Sequence, residues 1–340
     1  MDLDVTSERR TRPAPNPGAT GRVGLAVILG LVALAVFVRV IEPERIGWMR
    51  NLLIVFGSLL VEAMPFIFLG AFVSAAIEVF VPVSTFARIG RLPRNLQLPA
   101  AAAAGMAFPV CECGSVPVAR RLAAKGLSPG AAVTFMLAAP IVNPVVIAST
   151  FVAYRGRDTL WLMVIGRFTL GFIVAMAVGW VVGALRGDQL LRHRDAGSGA
   201  LDVPAAEARW RRFFGHWSGD VLFMARFLIM GAAIAAAVQT FVPQSILDGL
   251  ASLPVLSIIA MMVLAFVMSL CSESDAFVAA SFTAFGPAAQ LAFLVFGPMV
   301  DLKLGALYVG TYERGFFRTV VVAVGATTLA LTLWVQVVFG

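Results

Sequence analysis

Charge is scarce in this chain. Of its 340 residues only 13% are Asp, Glu, Lys or Arg, against roughly 25% in soluble domains. That excludes an ordinary water-soluble globule. Cysteine is rarer still: there are three, with no Cys-rich loop, which excludes a disulfide scaffold. The two histidines, His193 and His216, share one polar stretch and read as solvated loop residues. No Gly-x4-Gly-Lys-Ser/Thr loop occurs, so ATP hydrolysis on a phosphate loop is not expected. The paired Asp motifs of an intramembrane aspartyl protease are absent too. No cleavable leader is expected. The first apolar run, Val23 to Val40, is too long for a signal core and lacks a clear cleavage site.

What the chain does have is apolar surface. Hydrophobic residues make up 60%, and the mean hydropathy is +0.91. Several apolar runs reach 18 residues or more, the length a helix needs to cross a bilayer. The runs are continuous rather than alternating, which argues against a β-barrel. The net charge of +7 sits mostly in short loops between runs. It reads as an orientation signal, not as a nucleic-acid footprint.

The expected fold is an all-α polytopic membrane protein. Seven runs read as full spans: roughly 23–40, 52–81, 129–153, 159–185, 220–243, 288–311 and 319–339. Two more, about 97–118 and 255–286, are interrupted and read as re-entrant loops or broken-helix hairpins. Residues 1–22 are polar, Pro- and Arg-rich and expected to be disordered. Residues 23–50 hold an extra first helix and loop. Residues 51–185 form one transmembrane repeat, 186–219 a cytoplasmic linker and 220–340 a second repeat. Arginines near 9–22, 88–94, 120–121, 186–212 and 314–318 place the N-terminus and those loops on the cytoplasmic side. Arg45, Arg50, Arg155 and Arg157 run against that assignment.

The halves align at an offset of about 160 residues. Pro65–Gly70 matches Arg226–Gly231, Cys111 matches Cys271, and Ala139–Asn143 matches Gly297–Asp301. The charge assignment gives the two copies opposite senses. That predicts inverted-topology repeats, an architecture of many secondary transporters.

All three cysteines lie in the two interruptions: Phe108-Pro-Val-Cys-Glu-Cys-Gly-Ser115 and Ser269-Leu-Cys-Ser-Glu-Ser-Asp275. Breaking a helix at membrane depth frees backbone groups that lipid cannot satisfy, so such breaks must be buried or face water. Pro109, Gly114 and Pro117 are expected to break the first. The second has no Pro or Gly nearby and must break on its polar residues alone. Ser115 and Ser274 or Asp275 are candidate helix caps. Glu112, Glu273 and Asp275 are the leading functional candidates, because a carboxylate at that depth is costly and can carry a proton. Cys111, Cys113 and Cys271 are candidate ligands for a soft ion; packing is the competing reading. Asn143 and Asp301 occupy matching positions beyond the interruptions, and Lys303 stands beside Asp301 to neutralise it. Glu62 is a candidate cavity residue, Glu78 a headgroup contact. Gly179-x-x-x-Gly183 predicts close helix packing.

The two interrupted motifs, together with Leu137-Ala-Ala-Pro-Ile-Val-Asn-Pro144, resemble the bacterial predicted-permease family that includes ArsP. The resemblance spans about residues 50–340. It implies a multi-pass inner-membrane permease. One branch is associated with efflux of trivalent organoarsenicals. The motif residues implied are Cys111, Glu112, Cys113, Gly114, Asn143, Cys271, Glu273 and Asp275.

The expected function is therefore a secondary permease, not an enzyme, needing no cofactor. It would move a small molecule or ion, a thiophilic one if the cysteines bind it, by alternating access coupled to protons. Expected partners are lipids, with a homo-oligomer or a partner subunit left open. The alternatives are a membrane thiol oxidoreductase using Cys111 and Cys113, and a pore subunit of a larger permease.

Overall fold

An apolar run inside a bilayer can satisfy its backbone only with itself, so helices form wherever the runs are long. The computed structural model describes residues 47–80, 93–107, 110–186, 207–241, 254–313 and 315–339. Twelve α-helices and no strand lie among them. They are α1 (Gly47–Phe80), α2 (Arg94–Ala104), α3 (Glu112–Ala124), α4 (Pro129–Val142), α5 (Pro144–Ala153) and α6 (Leu160–Arg186). Then follow α7 (Glu207–Phe241), α8 (Pro254–Met268), α9 (Asp275–Ser281), α10 (Pro287–Phe296), α11 (Leu302–Thr311) and α12 (Phe316–Phe339). Residues from Leu52 onward form one unit. The apolar run 23–40, Arg45 and His193 lie outside the described residues.

Five stretches are long and apolar enough to cross a membrane: α1, Pro129–Ala153, Leu160–Leu185, Arg209–Phe241 and α12. The chain is an all-α polytopic membrane protein. Helices α1–α6 and α7–α12 follow one another in the same order, each at the offset read from the sequence. Their packing repeats as well. α4 packs on α2, α3 and α6, as α10 packs on α8, α9 and α12. The helices that follow the interruptions cross over. α3 packs against α11 of the second half, and α9 against α5 of the first.

Small residues permit the closest approaches. A Cβ on Gly179 would meet the Gly130 carbonyl oxygen at 2.7 Å, and one on Gly183 would meet Gly130 Cα at 3.3 Å. The Gly179/Gly183 pair therefore seats α6 on α4, as expected. A Cβ on Gly70 would lie 2.4 Å from Gly114 Cα, so α1 and α3 touch backbone to backbone.

Several local expectations change. Gly114 and Pro117 do not break the first hairpin; both lie inside α3. The break precedes Glu112, and Gly114 serves the contact with α1. The runs 129–153 and 288–311 are not single helices. Asn143 divides the first and residues 297–301 the second. Pro144, which has no N–H to donate, starts α5 as its first residue. The second interruption does break without Pro or Gly. Ser269 ends α8 in the left-handed region at φ +48°, costly for a non-glycine residue. Its hydroxyl oxygen accepts from Leu302 N–H at 3.1 Å.

Residues 207–219, expected to be loop, are helical. The start of α7 carries Trp210, Phe213, Phe214 and Trp217 among its arginines. Phe213 and Trp217 pack edge-on against Phe72, and Trp210 against Phe80. This aromatic face extends the helix into a stretch that is polar on average. His216 accordingly sits on a helix, half-buried, with Nδ1 3.4 Å from Arg121. It is not a free loop histidine.

Candidate functional site

The two interruptions form tips that meet. In the first, the chain is extended at Cys111 and enters α3 at Glu112. Glu112 is 1% exposed, and a buried carboxylate needs partners. It finds them in the second half of the chain. Ser272, in the other tip, donates to Glu112 Oε2 at 3.1 Å. Lys303 on α11 places Nζ 3.5 Å from Glu112 Oε1, 3.9 Å from Asp301 Oδ2 and 4.0 Å from Cys271 Sγ. Lys303 is 1% exposed.

The second tip is held by the first half in return. Arg167, on α6, donates to Asp275 Oδ2 at 2.7 Å, to Thr150 Oγ1 at 2.9 Å and to the Ser272 carbonyl at 3.0 Å. Arg167 is fully buried and Asp275 nearly so. Each tip thus pairs its carboxylate with a cation from the opposite half. Ser274 donates to Glu62 Oε1 on α1 at 2.8 Å. Glu273 is half-buried, places Oε2 3.4 Å from Ser272 Oγ, and has a buried Oε1 without a hydrogen-bond partner.

Asn143 and Asp301 do the same work at matching positions. Asn143 Oδ1 accepts from Val145 N–H at 2.9 Å and caps α5; Asp301 Oδ1 accepts from Leu304 N–H at 2.6 Å and caps α11. Both are buried. Capping explains their pairing, and Asp301 adds a second oxygen that faces Lys303.

The expected caps at the tips do not form. Neither Cys111 before α3 nor Ser274 before α9 makes a side-chain cap. Ser115 Oγ lies instead 2.9 and 3.0 Å from the carbonyl oxygens of Glu112 and Met136, which share its one proton, tying α3 to α4. Asp275 is committed to Arg167. Burial draws these side chains toward tertiary partners that outweigh a local cap.

The three cysteines are free and buried. They sit in the enclosed setting of inert thiols. The three sulfurs do not form one ligand set. Among the described residues, the donors that converge are Cys271, Glu112 and Glu273, with one ligand atom each, all within 4.8 Å of one another. Gly114 backs α3 against α1.

Sequence reasoning did not assign Arg167, Thr150 or Ser272. A guanidinium inside an apolar run was the available signal for Arg167. A second polar cluster also went unread. Arg121 on α3 meets Asp220 on α7 at 3.2 Å and Glu78 on α1 at 3.7 Å, and Ser74 donates to Asp220 at 2.9 Å. Lys125 donates to the Ile77 and Glu78 carbonyls at 2.7 and 2.8 Å. Glu78, expected among headgroups, pairs with Arg121.

Around the tips, five carboxylates (Glu62, Glu112, Glu273, Asp275 and Asp301) face two cations, Arg167 and Lys303. Were all of them ionised, acid would exceed base by three charges. Glu112, Asp275 and Asp301 are buried, while Glu62 and Glu273 are half-buried.

Comparison with known proteins gives one family and two named relatives. A family model described as "Predicted permease", of the ArsP type, matches residues 48–337. A Bacillus subtilis (strain 168) protein named "UPF0718 protein YcgR" is 38% identical over 284 residues, 83% of this chain and 96% of that protein. A protein of Streptococcus mutans serotype c, named "Putative two-component membrane permease complex subunit", is 33% identical over 291 residues, 84% of this chain and 94% of that one. No solved structure matches.

Proposed function

This chain belongs to the predicted-permease family, and from that premise we propose that its two tips form the transport site of a secondary permease for a small thiophilic solute. The observation that carries this reading is the bond from Ser272 to Glu112. It joins the tips of the two halves at a carboxylate that is almost wholly buried. Rocking one repeat against the other would part the tips and expose Glu112 to one side of the membrane at a time. Protons are the coupling ion in this reading, because the surplus carboxylates can exchange them. The reading places the repeats in opposite senses, the protein in the cell membrane and the N-terminus in the cytoplasm.

The test is flux into proteoliposomes under an imposed proton gradient. The panel covers trivalent organoarsenicals, arsenite, Zn(II), Cu(I) and Co(II). We expect flux of at least one solute, collapse of flux with a protonophore, and loss of flux in Glu112→Gln. Flux that survives Glu112→Gln unchanged overturns the tip site. The name of the Streptococcus mutans relative supports a second arrangement, in which the chain works beside a partner subunit. Flux that appears only when a genetically adjacent membrane protein is co-reconstituted would select it.

A further inference from the structure

We infer that Cys271, Glu112 and Glu273 bind a thiophilic divalent cation of the Zn(II) class, and that Lys303 is a tethered cation occupying this site until the ion arrives. The inference deepens the proposed function by naming the solute class and the residues that hold it. Three observations carry it. The first is the donor set: one sulfur and two carboxylates, from both tips, lie within 4.8 Å of one another. Tetrahedral zinc needs ligand atoms about 3.5 Å apart, given bonds of roughly 2.0–2.3 Å. Closing that gap asks for a shift of about 1 Å, small beside the freedom of a glutamate side chain. Sulfur with carboxylate oxygen suits Zn(II) and Co(II); it suits the hard ions Mg(II) and Ca(II) poorly.

The second observation is how Lys303 is held. Its ammonium stands 3.5 Å from Glu112 and 4.0 Å from Cys271, near two of the three donors. Neither contact is as short as a good charge-assisted hydrogen bond, about 2.7–2.9 Å. The ammonium balances the site's charge without engaging any one donor closely. A lysine can leave such a position by rotating about its flexible stem.

The third observation says where it goes. Asp301 is fully buried, and its Oδ2 has no hydrogen-bond partner. That oxygen lies 3.9 Å from Lys303 Nζ, on the carboxylate whose other oxygen caps α11. An acceptor left unmatched at this depth is costly. It becomes matched when an arriving cation drives the ammonium off Glu112. As the metal–sulfur bond forms the Cys271 S–H bond breaks, and its proton is released to solvent with the water the ion sheds. When the ion leaves, Lys303 returns to Glu112, so the empty tips never face each other without a cation between them.

The test is Co(II) binding to the full-length protein in detergent, followed by the thiolate-to-cobalt charge-transfer band. Wild type should show the band, and Zn(II) should displace it. Cys271→Ser should abolish it, whereas Cys111→Ser/Cys113→Ser should leave it. Glu273→Gln should weaken binding by about tenfold or more, the scale of one lost ligand contact. Lys303→Gln should tighten it by about tenfold or more, since the competing charge is gone. Asp301→Asn tests the same step in a helix that stays capped, as Asn143 caps the sister helix. It should weaken Co(II), because the displaced ammonium has no acidic resting place. A missing band in wild type, or a band lost with Cys111 and Cys113 rather than Cys271, overturns the site. If Lys303→Gln stays monodisperse and binds no tighter, or if Asp301→Asn binds as wild type, the tethered cation is overturned. Because binding is read without flux, a protein that transports but shows no band would lose this inference and keep the permease reading.

Discussion

At the second tip Asp275 meets the Arg167 guanidinium at 2.7 Å, whereas at the first tip Glu112 meets the Lys303 ammonium at 3.5 Å. The two pairs are built on the same plan, a tip carboxylate with a cation from the opposite half. They differ in grip. A guanidinium is planar and permanently charged, and here it bonds three partners on three elements. An ammonium on a four-carbon stem is a mobile point charge. The difference assigns the labour. On the proposed reading, the second tip is anchored and positions Cys271 and Ser272, while the first tip holds the exchangeable contact. A duplicated architecture has diverged in chemistry at matching positions, with capping Asn143 neutral where capping Asp301 is acidic.

The comparison breaks most directly at its anchor. Arg167→Met leaves Asp275 buried without its cation, a loss of about 3–5 kcal/mol. We expect loss of monodisperse protein on extraction, with Arg167→Lys falling between it and wild type. Should Arg167→Met unfold at the wild-type temperature, the anchoring role fails. Lys303→Gln should cost far less, about 1–2 kcal/mol, because Glu112 keeps its bond from Ser272. Thermal unfolding of the two variants side by side measures the asymmetry, and equal losses would erase it.

Two glycines sharpen the comparison. Gly70 backs the first tip's helix at Gly114, and Gly231 backs α11 at Lys303, where a Cβ would meet Lys303 Cα at 2.8 Å. Each Gly→Ala change should destabilise by about 1–3 kcal/mol through overpacking. Gly231→Ala should also alter Co(II) affinity, since it moves the residue that competes for the site; no change there would detach α11 from the site. The smallest effect belongs to the caps. Asn143→Ala should cost about 1 kcal/mol and leave Co(II) affinity alone, a result that thermal unfolding and the cobalt band read together.

Much of the fold was legible because apolar length and charge position are one-dimensional signals. The interruptions, the offset of the halves and the Gly179/Gly183 packing pair were all readable in order along the chain. The break at Ser269–Ser274 could be foreseen without Pro or Gly, because carboxylates there had to be buried in protein. The partners were not readable. Arg167 and Asp275 are 108 positions apart, and Lys303 and Glu112 are 191 apart; neither pair leaves a local pattern. The cysteines show the same limit. Cys111 and Cys113 are close in sequence, yet the sulfur that joins the acidic donors is Cys271, brought there by tertiary packing. The serine caps failed because a buried hydroxyl goes to the partner that packing brings nearest. The start of α7 was hidden by averaging. Its arginines made the stretch look like loop, while Trp210, Phe213 and Trp217 shared one face.

Ser269 gives the site a mechanical linkage. It is held in an unfavourable backbone state, and its hydroxyl accepts from the first N–H of the helix that carries Lys303. One end of this short strut is the root of the second tip; the other is the seat of the first tip's cation. A displacement that re-aims Cys271 therefore pulls on Lys303 through one hydrogen bond. In the proposed exchange, the two motions, sulfur toward the ion and ammonium away from it, would be linked through a single side chain.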